Sequence, residues 1–191
     1  MTPVRAGHGG KRPTDGSDYR WNVLVALPGR PSDEVDAVLT SIGSTEANTV
    51  VQLTGRSDGP RTAPSPNLAF AVAVPLTELL DDVDVAVLAG DVHTVLVALR
   101  ARVPLVVLPA RPAQAGIGSA VASVGAGVVA VSADDVGAAV RAVALDATTG
   151  PRLRAVAEHV TAVDALLVAL GTSALRLVGS DRRRHRSTRH P

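Results

Sequence analysis

Between Val83 and Gly127, short runs of apolar residues alternate with stretches in which apolar residues recur at the spacing of a helix. The runs Val83–Leu88 and Leu105–Leu108 are almost entirely apolar, which is typical of parallel strands covered on both faces. Roughly a dozen residues of helical spacing separate them, the length that a crossover between two parallel strands requires. This stretch therefore predicts strand, tight turn, helix and parallel strand, then a second helix and a Gly-Ala-Gly turn.

The same alternation runs from residue 21 to about residue 145. Right-handed crossovers place helices on both faces of such a sheet, so the pattern predicts a doubly wound, Rossmann-like α/β fold with a parallel sheet. Ser32 is predicted to be the N-cap of the first helix, because serine hydroxyls accept hydrogen bonds from free helix N–H groups. The other predicted strands are Trp21–Leu27, Thr49–Leu53, Leu68–Val74 and Gly127–Val131, and the other predicted helices are Asp33–Ile42, Leu76–Asp82, Asp134–Leu145, Arg152–Val160 and Val163–Val178.

Length and composition predict one folded domain. A chain of 191 residues with 46% hydrophobic content can bury one substantial core, which we place at residues 21–178. Residues 1–20 are polar and rich in Gly and Pro, and residues 179–191 form a basic tail, so both ends are predicted to be disordered. The chain has no cysteine, which excludes disulfides, thiolate metal sites and cysteine nucleophiles.

The net charge of +1 is unevenly distributed, with basic ends and an acidic body. Nucleic-acid binding requires clustered Lys and Arg, so no specific nucleic-acid partner is expected for the folded part. The N-terminus lacks the apolar core of a secretory signal. No apolar run reaches the roughly 18 to 20 residues needed to span a bilayer. A cytoplasmic protein without membrane association is the prediction.

The turn after Val83–Leu88 is the predicted ligand site. In doubly wound sheets, ligands bind in the crevice at the carboxyl ends of the strands, where the strand order reverses. A helix that starts there presents unpaired N–H groups and a partial positive charge, which favour an anion.

Several landmarks along this region occur in a recognisable order. They are Val74-Pro75-Leu76 before a short helix ending at Asp81-Asp82, the turn at residues 89–94, the run Val103–Pro109, Gln114, and Gly125-Ala126-Gly127-Val128. This arrangement resembles the C-terminal, nucleotide-sugar-binding domain of the family 1 glycosyltransferases of GT-B fold that modify macrolides and other antibiotics. The resemblance covers about Tyr19 to Val178 and implies one half of such an enzyme, without the acceptor-binding domain.

The resemblance implies roles for three residues. Gly90 and Thr94 match the glycine and threonine that hold the donor diphosphate, and Gln114 matches a glutamine that bonds the donor sugar. The implied ligand is a UDP- or TDP-sugar, with no other cofactor. Other family positions differ: the phosphate-site histidine is Ala89, two glycines are Asp91 and His93, the aspartate before the glutamine is Ala113, the base-stacking tryptophan is Ala73, and an asparagine is Ile117.

Asp91 is the most consequential of these differences. A carboxylate a few ångströms from a diphosphate repels it by about 1 kcal/mol in water-like surroundings and about 4 kcal/mol at an effective dielectric of about 20. Asp is also a favoured N-cap. We therefore predict that its carboxylate accepts the N–H groups of Val92, His93 or Thr94 in place of a phosphate, which argues against tight donor binding.

Simpler interpretations stay open for the same residues. Gly90 and Thr94 are common at helix starts, and Gln114 would then be a solvated loop amide. Asp91 and His93 alone make a weak metal pair, and no metal site is predicted. Gly116 and Gly118 imitate a dinucleotide-binding motif, but they stand too far beyond the preceding strand.

No catalytic residue is predicted. In the resembling family the general base belongs to the acceptor domain, so the resemblance implies no activity for this chain alone. Three hypotheses follow. In the first, the chain is a donor-binding domain that works with a separate acceptor domain to transfer a hexose or deoxyhexose to a natural product. In the second, it is a non-catalytic partner that activates a biosynthetic enzyme. In the third, it is an inactive remnant.

Overall fold

A computed structural model describes residues 19–53 and 67–162. The predictions for residues 1–18, for the helix at 163–178 and for the basic tail at 179–191 lie outside the described residues. Among the described residues, no helix is long and apolar enough to cross a membrane.

Six parallel strands form one sheet in the order β3-β2-β1-β4-β5-β6. This order confirms the predicted doubly wound, Rossmann-like fold. The strands are β1 (Trp21–Ala26), β2 (Ala47–Leu53), β3 (Leu68–Val72), β4 (Val85–Leu88), β5 (Leu105–Val107) and β6 (Gly127–Val129). The helices are α1 (Ser32–Gly43), α2 (Leu76–Leu79), α3 (Val92–Arg100), α4 (Pro112–Ser123) and α5 (Val136–Leu145), and residues 149–162 are also helical.

Two apolar cores lie on opposite faces of the sheet, and strand β4 contributes to both. Because successive strand side chains point to opposite faces, Val85 and Val87 pack with α1 and α5, whereas Ala86 and Leu88 pack with α3 and α4. All four are fully buried. The uninterrupted apolar run therefore reflects a strand covered on both faces, as predicted.

The ends of several elements differ from the predictions. Helix α1 begins at Ser32 itself, and Pro31 occupies the N-cap position, so the predicted Ser32 cap is wrong. The fixed φ of proline suits the backbone turn just before the helix. Strand β3 ends at Val72 because Ala73 adopts a φ of 55°, outside the strand region.

Candidate functional site

The strand order reverses between β1 and β4, and this reversal places a crevice at the carboxyl ends of the sheet. Three connections meet at this edge: residues 27–31 after β1, residues 89–91 after β4, and residues 108–111 after β5. Parallel strands bring the connections to one side of the molecule. The site predicted after β4 therefore lies beside the reversal.

Gly90 holds the turn after β4 in a conformation that other residues rarely adopt. Its φ is 94°, a value accessible mainly to glycine. A Cβ at this position would lie 2.9 Å from Val107 Cγ1 and 3.0 Å from the carbonyl oxygen of Gln114. The backbone conformation and the packing against α4 both require glycine, independently of any ligand.

Helix α3 begins directly after this turn, with Asp91 at the N-cap position. The Asp91 carbonyl accepts the hydroxyl of Thr94 at 2.9 Å and the N–H of Val95 at 3.0 Å. Its carboxylate makes no capping hydrogen bond, so the prediction that it accepts the N–H of Val92, His93 or Thr94 is wrong. The first turn of α3 therefore lacks a side-chain cap.

The Asp91 carboxylate instead faces the start of α4. Its Oδ1 atom accepts Nη2 of Arg111 at 3.2 Å and Nε2 of Gln114 at 3.3 Å. The side chains of Asp91 and Arg111 are 39% and 69% exposed. Two donors at the start of α4, the N-cap residue Arg111 and Gln114 in the first turn, thus hold the carboxylate. The sequence contained no signal for this pairing, because the partners are 20 and 23 positions away.

Gln114 is buried, with only 5% of the residue exposed, so it is not a solvated loop amide. Its Oε1 atom accepts the backbone N–H groups of Ala110 at 2.9 Å and Arg111 at 3.2 Å. These bonds satisfy donors at the start of α4. They also fix the amide orientation, so that Nε2 faces the Asp91 carboxylate.

Arg30 is a residue of this edge that the sequence analysis missed. Its side chain is 8% exposed and donates to the Glu34 carboxylate and to the carbonyl oxygen of Leu108. Its Nε atom is buried without a hydrogen-bond partner. A buried cation therefore extends from the connection after β1 to the end of β5. Only its position directly after a predicted strand could have pointed to it.

Two other sequence motifs can be placed in the structure. Gly116 and Gly118 lie inside α4, which begins at Pro112, so they are not on the strand-to-helix turn that a dinucleotide motif requires. His93 is exposed. Within residues 19–53 and 67–162, no group of three or more His, Asp or Glu side chains could hold a metal ion.

No protein-family model and no curated protein matches the sequence. Solved structures do match. The calicheamicin glycosyltransferase CalG4 is 22% identical with a TM-score of 0.67, over 90% of this chain and 48% of its own. The glycosyltransferase SnogD from Streptomyces nogalater is 23% identical with a TM-score of 0.64, over 88% of this chain and 48% of its own. The spinosyn rhamnosyltransferase SpnG, solved with thymidine diphosphate, is 20% identical with a TM-score of 0.67, over 85% of this chain and 48% of its own.

The chain thus spans about half the length of these antibiotic-tailoring glycosyltransferases. The resemblance stated from the sequence is confirmed at the level of the fold. The described residues form the Rossmann-like fold of one half of a GT-B glycosyltransferase.

Proposed function

We propose that this chain, with the fold of one half of a GT-B glycosyltransferase, binds a nucleotide sugar at the carboxyl ends of β4 and β5. The observation that supports this proposal best is the convergence of the three predicted residues. Gly90 packs against Gln114, and Thr94 lies in the first turn of the helix that starts beside them. Residues separated by as many as 24 positions, on the turn after β4 and in the first turns of α3 and α4, therefore lie at the edge where such folds bind ligands.

The electrostatics of this edge also support an anionic ligand. The first turn of α3 has no side-chain cap, and its free N–H groups carry a partial positive charge. Arg111 adds a largely exposed cation beside it. A structural neighbour, SpnG, was solved with thymidine diphosphate, which makes a UDP- or TDP-sugar the ligand class to test.

Sugar transfer is proposed only together with an acceptor-binding partner. The chain spans about half of its structural neighbours, and no described residue is assigned as a general base. The acceptor in this proposal is a small natural product, by analogy with the calicheamicin and spinosyn enzymes. The sugar would be a hexose or deoxyhexose.

Calorimetry with UDP-glucose and TDP-glucose tests the proposal directly. We expect the wild type to bind in the millimolar range, and Thr94→Val to weaken binding about tenfold, the size of one hydrogen bond to a charged group. Thr40→Val is the matched control, since the Thr40 hydroxyl also bonds a carbonyl one turn earlier, that of Asp36 in α1. Absence of both heat and thermal shift at millimolar donor would overturn the proposal.

A second candidate is a non-catalytic homologue that activates a glycosyltransferase. Asp91 favours it, because its carboxylate lies at the connection where a diphosphate would bind. Ala89 also stands where the resembling family has a histidine. This candidate predicts that the wild type binds no donor but forms a stable complex with a complete natural-product glycosyltransferase and raises its turnover. Co-elution and a turnover assay with purified proteins would test it.

A further inference from the structure

The start of α4 presents two hydrogen-bond donors to a single point. Gln114 supplies Nε2 from a buried side chain whose orientation is fixed by two backbone N–H groups on its Oε1. Arg111 supplies Nη2 from the residue before the helix. Both donors reach the same oxygen, Oδ1 of Asp91. One neutral and one cationic donor aimed at one oxygen form a small anion site.

Asp91 fills this site loosely. Its contact with Arg111 is 3.2 Å long, whereas hydrogen bonds between two ionised groups are typically about 2.7 to 2.9 Å. Its contact with the neutral amide of Gln114 is 3.3 Å long, at the long end of ordinary N–H···O bonds. Its carboxylate is partly exposed and bonds no backbone N–H of α3. A rotation of the side chain would carry the carboxylate into solvent. Gln114 Nε2 would keep its position, because two backbone N–H groups hold Oε1 of the same amide.

We propose that the Asp91 carboxylate is an internal occupant of an anion site whose external ligand is a phosphate group, and that Arg111 is a phosphate-binding residue. The identification of that phosphate with the diphosphate of a nucleotide sugar rests on the proposed function. The ligand displaces Asp91 from Gln114 Nε2 and Arg111 Nη2. Asp91 therefore competes with the ligand, both by occupying the donors and by charge repulsion.

Four proteins test this exchange in calorimetry at low ionic strength: the wild type, Asp91→Asn, the double variant Asp91→Asn with Arg111→Met, and Asp146→Asn. The probes are inorganic pyrophosphate, UDP-glucose and TDP-glucose. Asparagine keeps the shape of Asp91 and an oxygen for both donors, so the fold is expected to persist, as thermal unfolding would verify. Asp146→Asn is the matched control, because Asp146 also pairs with an arginine, Arg152 at 3.9 Å, elsewhere on the surface.

We expect Asp91→Asn to bind all three probes at least about tenfold more tightly than the wild type, since a repelling unit charge near a protein surface has been removed. The added Arg111→Met change is expected to abolish that gain. Asp146→Asn should bind like the wild type. In ¹⁵N NMR of Asp91→Asn, the side-chain amide of Gln114 should shift on titration with pyrophosphate, which a purely structural role of Asp91 would not produce.

The outcomes separate this inference from the proposed function. Equal affinity of the wild type and Asp91→Asn overturns the inference and leaves donor binding in place. No binding by either protein overturns both. Binding by Asp91→Asn alone would show that phosphate does not displace Asp91 in the natural chain, which overturns the exchange and also contradicts donor binding by the natural chain. A gain that persists with Arg111→Met overturns the role of Arg111.

Discussion

Carboxylates lie at both ends of the parallel sheet, and their partners differ in kind. At the amino end, Asp84 Oδ2 accepts the backbone N–H of Asn22 at 2.7 Å and the side-chain amide of Asn22 at 3.4 Å. At the carboxyl end, Asp91 Oδ1 accepts only side-chain donors, at 3.2 Å and 3.3 Å. Both contacts join elements far apart in the sequence.

The difference indicates which contact is structural and which is exchangeable. A backbone N–H at the start of β1 cannot move without the strand, so Asp84 ties β1 to the connection before β4. The turn that carries Asp91 is instead fixed by Gly90, through its backbone conformation and its packing against Val107 and Gln114. We therefore expect the carboxyl end to keep its shape without the Asp91 contact, as an exchangeable ligand site requires.

The largest effect should come from Gly90→Ala. This variant combines a strained φ of 94° with a Cβ only 2.9 Å from Val107 Cγ1. We expect a loss of about 3 kcal/mol in the free energy of unfolding, measured by urea denaturation. Gly116→Ala is the control, because a Cβ there meets nothing within 4 Å. It should stabilise helix α4 by about 0.5 to 1 kcal/mol. Equal effects of the two variants would show that the turn does not depend on Gly90.

The second prediction compares the two carboxylates directly. Asp84→Ala should lower the free energy of unfolding by about 1 kcal/mol, because it removes the partner of a backbone N–H. Asp91→Ala should lower it by about 0.5 kcal/mol or less, as is usual for exposed ion pairs. Urea denaturation of both variants measures the difference. If Asp91→Ala lowered the free energy of unfolding more than Asp84→Ala, the structural carboxylate would be Asp91 at the carboxyl end, and the comparison would be wrong.

The fold was predictable because apolar runs and helical spacing report directly on burial. The runs at Val83–Leu88 and Leu105–Leu108 contain strands β4 and β5, which are buried on both faces. The start of the connection after β4 was also located correctly, because the apolar run and strand β4 both end at Leu88.

The contacts within the site were not predictable in the same way. Sequence reasoning assigned Asp91 to the local N–H groups of α3, whereas its carboxylate bonds Arg111 and Gln114 at the start of α4. Gln114 was given either a sugar contact or the role of a solvated loop amide; the solvated amide is wrong, because Gln114 is buried and its oxygen caps α4, and the sugar contact stays a prediction. Both outcomes depend on how two loops approach each other, which a local pattern does not encode.

Asp146, the C-cap residue of α5, is a third carboxylate, and its hydrogen-bond donors are all local in the sequence. Its Oδ1 accepts the hydroxyl of Thr148 at 2.6 Å and the N–H of Thr148 at 2.9 Å, and its Oδ2 accepts the hydroxyl of Thr149 at 3.0 Å. All three donors lie within three positions, at the start of the helical residues 149–162. Asp91 has none of these bonds, although both aspartates precede a helix.

The smallest predicted effect is a shift in the pKa of Asp146. The pKa of Asp146 is lowered below its ordinary value of 3.8. The causes, largest first, are the hydrogen bonds from the Thr148 hydroxyl, the Thr148 N–H and the Thr149 hydroxyl, and then the charge of Arg152. Because the pKa is lower in the folded state, this contribution to stability is complete above the unfolded pKa and is lost as pH falls through the folded pKa. A ¹³C NMR titration of the carboxyl carbon should show a midpoint below 3.8. Thr148→Val should move it upward, since the strongest donor is gone and the backbone N–H remains. A wild-type midpoint at or above 3.8 would contradict the local hydrogen bonds of Asp146 and weaken its contrast with Asp91.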